Sequence, residues 1–171
     1  MYQSMRMFAM LASGICLPLV CGAAPAQTVR TDKELSRRTL PKFITSQKTT
    51  VEPSTLRRGA SGKLVITLVV EDTFHIYDPN PGDPFLTATK VTPIKVPGVM
   101  FGNPSWPAPK TIKGAKVHEG SVTITIPFTV KPAAQTGKTA FGAKFYAQGC
   151  NANTCYPPAD FVVVMPISIK Q

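Results

Sequence analysis

Three runs of the chain alternate apolar and polar residues with a period of two. Lys63 to Glu71 places Leu64, Ile66, Leu68 and Val70 on one face. Ser121 to Val130 places Val122, Ile124, Ile126, Phe128 and Val130 on one face, with Ser121, Thr123, Thr125 and Thr129 opposite. Phe161 to Ile169 repeats the period with Phe161, Val163, Met165, Ile167 and Ile169. Alternation rich in β-branched residues marks half-buried strands. A further strand-like run covers Thr139 to Ala147, and nothing of helical period exceeds two turns. The 12 glycines and 17 prolines cluster between these runs as turn punctuation. Several short strands without intervening helices predict two packed antiparallel sheets. The fold class is therefore all-β, an immunoglobulin-like antiparallel β-sandwich over residues 42–171.

Two longer loops are expected, from Asp78 to Thr89 and from Pro97 to Lys116. The first carries Asp78-Pro-Asn-Pro-Gly-Asp-Pro84, whose prolines limit the entropy lost when the loop is ordered. The second holds Trp106, the only tryptophan, between prolines in Asn103-Pro-Ser-Trp-Pro-Ala-Pro109. Trp106 fills the core, lies over a reactive group or forms a contact surface.

The start of the chain sets the compartment. Residues 1–26 combine one charge, Arg6, an apolar run from Met7 to Val20, and Ala24-Pro25-Ala26. That is the pattern of a secretory signal peptide cleaved after Ala26. The run is too short, and too interrupted by Gly14 and Pro18, to span a bilayer. Lipid attachment at Cys21 is disfavoured because Val20, a β-branched residue, precedes it where a small one is wanted. Residues 27–41 read as a flexible basic arm or linker. Thr31-Asp-Lys-Glu34 has capping-box spacing, so a short helix through Arg38 fits there until Pro41. Cleavage removes Cys16 and Cys21, which leaves Cys150 and Cys155 in an oxidising, periplasmic space where a disulfide persists.

The formal charge of +10 first suggests nucleic acid. However, Arg30, Lys33, Arg37, Arg38, Lys42, Lys48, Arg57, Arg58 and Lys63 crowd the first third, and no stripe of bases and aromatics follows. No nucleic-acid partner is therefore expected. No later segment is apolar enough for a membrane span, and the expected state is a monomer. Thr136-Gly-Lys-Thr139 resembles the end of a phosphate loop, but Pro132 stands where the leading glycine belongs. His75 and His118 lack metal-ligand spacing, so neither a metal nor a cofactor is expected. Asp72, Asp78, Asp83, Glu119 and Asp160 form no pair assignable to acid–base work.

The remaining chemistry lies in Tyr146-Ala-Gln-Gly-Cys150-Asn-Ala-Asn-Thr-Cys155-Tyr-Pro-Pro158, between two strand-like runs. The pair either staples a turn or exchanges disulfides. A six-residue ring removes roughly 2 kcal/mol of unfolded-state entropy, against nearly 5 for a ring of about a hundred residues. A staple between distant strands would do more. Tyr156-Pro157-Pro158 fixes the exit of the turn and removes two backbone donors. A bridge in a polar, exposed loop is open to attack by another protein's thiolate. Spacing alone leaves both readings standing.

Three stretches resemble the N-terminal periplasmic domain of DsbD-type thiol:disulfide interchange proteins. They are Glu71-Asp-Thr-Phe-His-Ile-Tyr77 with Asn80-Pro-Gly-Asp83, then Pro104-Ser-Trp-Pro-Ala-Pro109 with Val117-His-Glu-Gly120, and Gln148-Gly-Cys150 to Cys155-Tyr-Pro-Pro158. The resemblance runs from about Thr50 to Ile169. It implies that Cys150 and Cys155 cycle between dithiol and disulfide. Electrons would pass from a thioredoxin-like donor to envelope disulfide proteins through transient mixed disulfides, with Cys155 the favoured attachment point. His75, Tyr77, Trp106 and Tyr156 become auxiliary residues or caps beside the pair. Family members of full length continue into a membrane conduit and a thioredoxin-like domain, whereas this sequence stops at Gln171, so a separate electron donor is expected. The rival reading is a non-catalytic exported β-sandwich, a binding or structural module with a permanent disulfide.

Overall fold

The computed structural model describes residues 40–171. Its strands are β1 (Ile44–Glu52), β2 (Leu56–Arg57), β3 (Ser61–Val70), β4 (His75–Tyr77), β5 (Lys90–Pro93) and β6 (Val99–Phe101), followed by β7 (Lys110–Ile112), β8 (Ala115–Glu119), β9 (Ser121–Val130), β10 (Gly137–Ala147), β11 (Gly149–Cys150) and β12 (Ala159–Lys170). The alternating runs named above are β3, β9, β12 and β10. They form the centre of the molecule.

One sheet has the order β1-β3-β9-β6 and a second the order β2-β12-β10-β5. In the first, β3 and β9 are antiparallel with Leu64 opposite Ile126, Ile66 opposite Ile124 and Leu68 opposite Val122. The apolar faces of the two strands therefore coincide, and all six side chains are buried. In the second, β10 and β12 are antiparallel, and the opposed rings of Phe145 and Phe161 stack with centroids 5.0 Å apart. Phe101, Phe128 and Phe141 meet edge-on at 4.9 to 6.2 Å across the core. Each fully buried aliphatic or phenyl side chain stabilises the fold by roughly 1.5–3 kcal/mol. The β-sandwich read from the alternation is the observed architecture.

The periodicity did not reveal a third sheet, of order β11-β4-β8-β7. The segment from Pro97 to Lys116, expected to be loop, is partly strand: it contains β6, β7 and the start of β8. Strands of three residues are too short to display a period. One pairing, β2 with β12, is parallel. The segment from Asp78 to Thr89 is a loop, as expected.

The signal peptide over 1–26 and the short helix at Thr31 to Arg38 lie outside the described residues. Of the expected arm, Leu40 and Pro41 are described, and Leu40 packs against the core. Among the described residues, no helix is long and apolar enough to cross a membrane.

Candidate functional site

The third sheet holds Cys150, to which Cys155 pairs through an isolated bridge, and several of the side chains around the two cysteines. On β4 the alternation is short but sharp. Ile76 is buried in the core, while His75 and Tyr77 turn to the other face and meet edge-on, centroids 5.4 Å apart. Register then brings three strands into line. Cys150 of β11 stands opposite His75, and His75 stands opposite Glu119 of β8. Directly opposed residues on one face of a sheet keep their Cβ atoms about 5 Å apart, so Cys150, His75 and Glu119 form a single cross-strand row. Glu119 Oε2 accepts a hydrogen bond from Lys110 Nζ of β7 at 2.9 Å. The β7–β8 hairpin that positions Lys110 closes on Lys113 and Gly114, both at positive φ (47° and 85°), the pattern of a two-residue type I′ turn.

Cys150 and Cys155 are joined, with an S–S distance of 2.03 Å. Their environments differ. Cys150 is 2% exposed, whereas Cys155 lies at the surface. The turn between them has its own framework of hydrogen bonds. Asn151 Oδ1 accepts from the Asn153 and Thr154 N–H groups, both at 2.9 Å, and the Asn151 N–H donates to the Thr154 carbonyl at 2.8 Å. The Tyr156 N–H reaches the Gly149 carbonyl at 2.8 Å, and Gln148 Nε2 donates to the Tyr156 carbonyl at 3.0 Å. These bonds brace the turn in addition to the sulfur–sulfur link. Gly149 is required by close approach: a Cβ at that position would run into the ring of Phe43.

A cavity of about 660 Å³ opens beside the bridge. Both cysteines line it, together with His75, Tyr77, Asp83, Leu86, Lys113 and Glu119. Burial holds the His75 imidazole below its ordinary pKa, and the nearby Glu119 carboxylate partly opposes that shift. His75 is thus biased towards the neutral form, able to accept a proton. Among the described residues, no group of three or more His, Cys, Asp or Glu side chains is arranged to hold a metal ion.

Of the side chains singled out in the sequence, His75 and Tyr77 share this cavity with the two cysteines. Trp106 and Tyr156 do not line it. Trp106 stacks on the His118 ring at 5.3 Å, and His118 Nε2 lies 2.9 Å from Asp78 Oδ2. Tyr156 stacks on Phe74 at 5.1 Å and packs against the core. Glu119, Asp83, Leu86 and the turn at Lys113 are the neighbours that sequence reasoning missed. Gly114 was the local signal for the turn at Lys113, because glycine suits the left-handed turn, whereas Asp83 and Glu119 stood in the sequence only as acids without an assigned partner.

The fold and site together define a β-sandwich domain with a disulfide at the edge of a small accessory sheet, Cys150 buried and Cys155 exposed. The model of the family "Thiol:disulfide interchange protein DsbD, N-terminal" matches residues 41–165, and the chain belongs to that family. The resemblance read from its motifs therefore holds. No curated protein matches the chain. Among solved structures it is similar to the reduced DsbD N-terminal domain of Neisseria meningitidis, at 18% identity, covering 75% of this chain and 89% of that one, with a TM-score of 0.42. It is also similar to the N-terminal periplasmic domain of ScsB from Proteus mirabilis, at 14% identity and a TM-score of 0.44. That match covers 74% of this chain and 48% of the other, so the chain spans about half of the ScsB domain's length.

Proposed function

We propose that the protein is an exported, periplasmic thiol:disulfide exchange domain whose Cys150–Cys155 pair carries electrons from a thioredoxin-like donor to envelope disulfide proteins. The observation that carries this reading is the asymmetry of the bridge: Cys155 is open to solvent and Cys150 is buried. A visiting thiolate can approach Cys155 Sγ in line with the bridge, with Cys150 as the leaving group.

Reduction proceeds in two displacements. The donor thiolate attacks Cys155 Sγ, the Cys150–Cys155 bond breaks, and its electron pair goes to Cys150 Sγ, which takes up a proton. The donor's second cysteine then attacks the donor sulfur of the mixed disulfide and releases Cys155 as thiolate. Two electrons have moved, and the donor leaves as a disulfide. Onward transfer runs in the opposite sense. The Cys155 thiolate attacks a target disulfide, and Cys150 must then lose its proton to resolve the new mixed disulfide. His75, opposite Cys150 and biased towards neutrality by burial, is the proton acceptor for that step. Glu119, next in the row, favours the imidazolium that forms. Tyr77 holds the imidazole from its edge.

Redox titration of the bridge tests the reading. Exchange requires equilibration with thioredoxin-like couples, between about −180 and −270 mV, whereas a bridge resisting reduction below about −300 mV is a permanent staple. Trapping supplies the second arm. Cys150→Ser should accumulate a mixed disulfide with an envelope protein and Cys155→Ser should not. The reverse pattern would overturn the assignment of roles.

A further inference from the structure

Phe85 is 95% exposed, and the other exposed large hydrophobic side chain among the described residues, Met100, is exposed to 56%. Single exposed apolar residues are ordinary on protein surfaces, and Phe85 stands out by its place. Its neighbours Asp83 and Leu86 line the same cavity as Cys150 and Cys155, so the loop bearing Phe85 forms part of the cavity's rim. The loop that bears it is ordered from within. Asp83 Oδ1 accepts the Phe85 N–H at 2.9 Å, and the Asp83 carbonyl accepts the Leu86 N–H at 3.3 Å. Asp78 Oδ1 accepts the Asn80 N–H at 2.8 Å, while Asp78 Oδ2 meets the buried His118. Two backbone bonds, Asp78 N–H to the Lys116 carbonyl and Lys116 N–H to the Pro81 carbonyl, both 3.0 Å, tie the loop to β8. Pro79, Pro81 and Pro84 further restrict its backbone.

We infer that Phe85 is the docking anchor for the thioredoxin-like partner, a protein presenting an apolar collar around its own exposed cysteine. The inference rests on the exchange reading above. A protein thiolate that reaches Cys155 must place its surroundings against the rim of the cavity, and Phe85 is the large apolar group waiting there. The backbone that bears the ring is already ordered, so covering the ring costs its side-chain freedom and little backbone entropy, which favours a single aromatic as a hot spot. Lys113 lines the same cavity as an exposed cation. It favours a partner with an acidic side chain beside its apolar collar.

The test compares two reductants on the oxidised protein, reduced thioredoxin and dithiothreitol, each with wild type, Phe85→Ala and Phe85→Leu. The anchor predicts that Phe85→Ala slows reduction by thioredoxin about tenfold, leaves reduction by dithiothreitol unchanged, and that Phe85→Leu restores most of the loss. Equal thioredoxin rates in wild type and Phe85→Ala overturn the anchor while leaving the exchange reading intact. A parallel fall with both reductants overturns it too, because the loop would then be acting on the bridge. A wild-type bridge inert to both reagents removes the exchange reading and the anchor with it. If wild type sediments as a dimer and Phe85→Ala as a monomer, the ring belongs to self-association and the partner assignment fails.

Discussion

The two large sheets and the small third sheet follow opposite rules. Five strands in the large sheets run for nine to twelve residues, and β3 pairs with β9 over nine positions. Their inner faces are apolar almost without exception. The strands of the third sheet run for two to five residues and pair over two or three positions. One face carries Ile76 into the core, and the other presents cysteine, histidine, tyrosine and glutamate to a cavity. Long registers with continuous burial make cooperative structure, whereas short registers open and close locally at lower cost. A bond that breaks and reforms, as the proposed exchange requires, belongs in the second kind of region. Stability and chemistry are thereby assigned to different sheets.

The hardest test of this division is a large cavity in the first region. Phe141 packs edge-on against Phe101 and Phe128. Phe141→Ala should cost about 3–5 kcal/mol in urea denaturation, yet leave the redox midpoint of the cysteine pair where it was. A midpoint that moves with the denaturation curve would show that the sheets are not separable. Gly149 tests the seam between them. Gly149→Ala forces a methyl against the Phe43 ring, so a loss of about 1–3 kcal/mol is expected. Here the midpoint should shift as well, because the displaced strand carries Cys150. Reduction of the bridge is the next smaller perturbation. Opening so short a ring should lower stability by about 2 kcal/mol. Amide chemical-shift changes should remain within Gln148 to Tyr156 and the facing residues of β4, where the hydrogen bonds at Asn151 and Tyr156 brace the turn apart from the bridge. Changes spreading through β3 and β9 would refute the separation.

The same contrast explains what could be read without coordinates. β3, β9, β10 and β12 are long enough for the hydrophobic period to identify them, and Leu64 to Val70 and Val122 to Val130 fall on the buried face as the alternation requires. The sandwich follows from those runs. The cysteine pair was legible because two thiols, a glycine and two prolines lie within one short stretch. The row from Cys150 through His75 to Glu119 was not legible, because it depends on the pairing of three strands far apart in sequence. Glu119 therefore looked like an unpaired acid. His118 and Asp78 are 40 residues apart, and neither side chain announces a buried contact with the other. Trp106 illustrates a different limit. A rigid loop could be inferred from its flanking prolines, but not which side of β8 the indole would take, and the structure stacks it on His118.

The smallest expected effect comes from the titration of His75. Its folded pKa lies below the ordinary value of 6.5, chiefly through burial, with Glu119 opposing. In the window between the folded value and about 6.5, the unfolded chain binds a proton that the folded chain does not. Stability is accordingly full above the unfolded value and declines as the pH falls through the folded one. His75→Asn should flatten this decline, read as the change in urea midpoint between about pH 7.5 and pH 5. Glu119→Gln should steepen it, because removing the carboxylate lets burial depress the imidazole further. The two variants thus push the same slope in opposite directions, which a merely structural disturbance of the small sheet would not do. If Glu119→Gln flattens the slope, or neither variant changes it, the carboxylate does not oppose the effect of burial on His75. The proton-accepting role of His75 beside Cys150 would then lose its support.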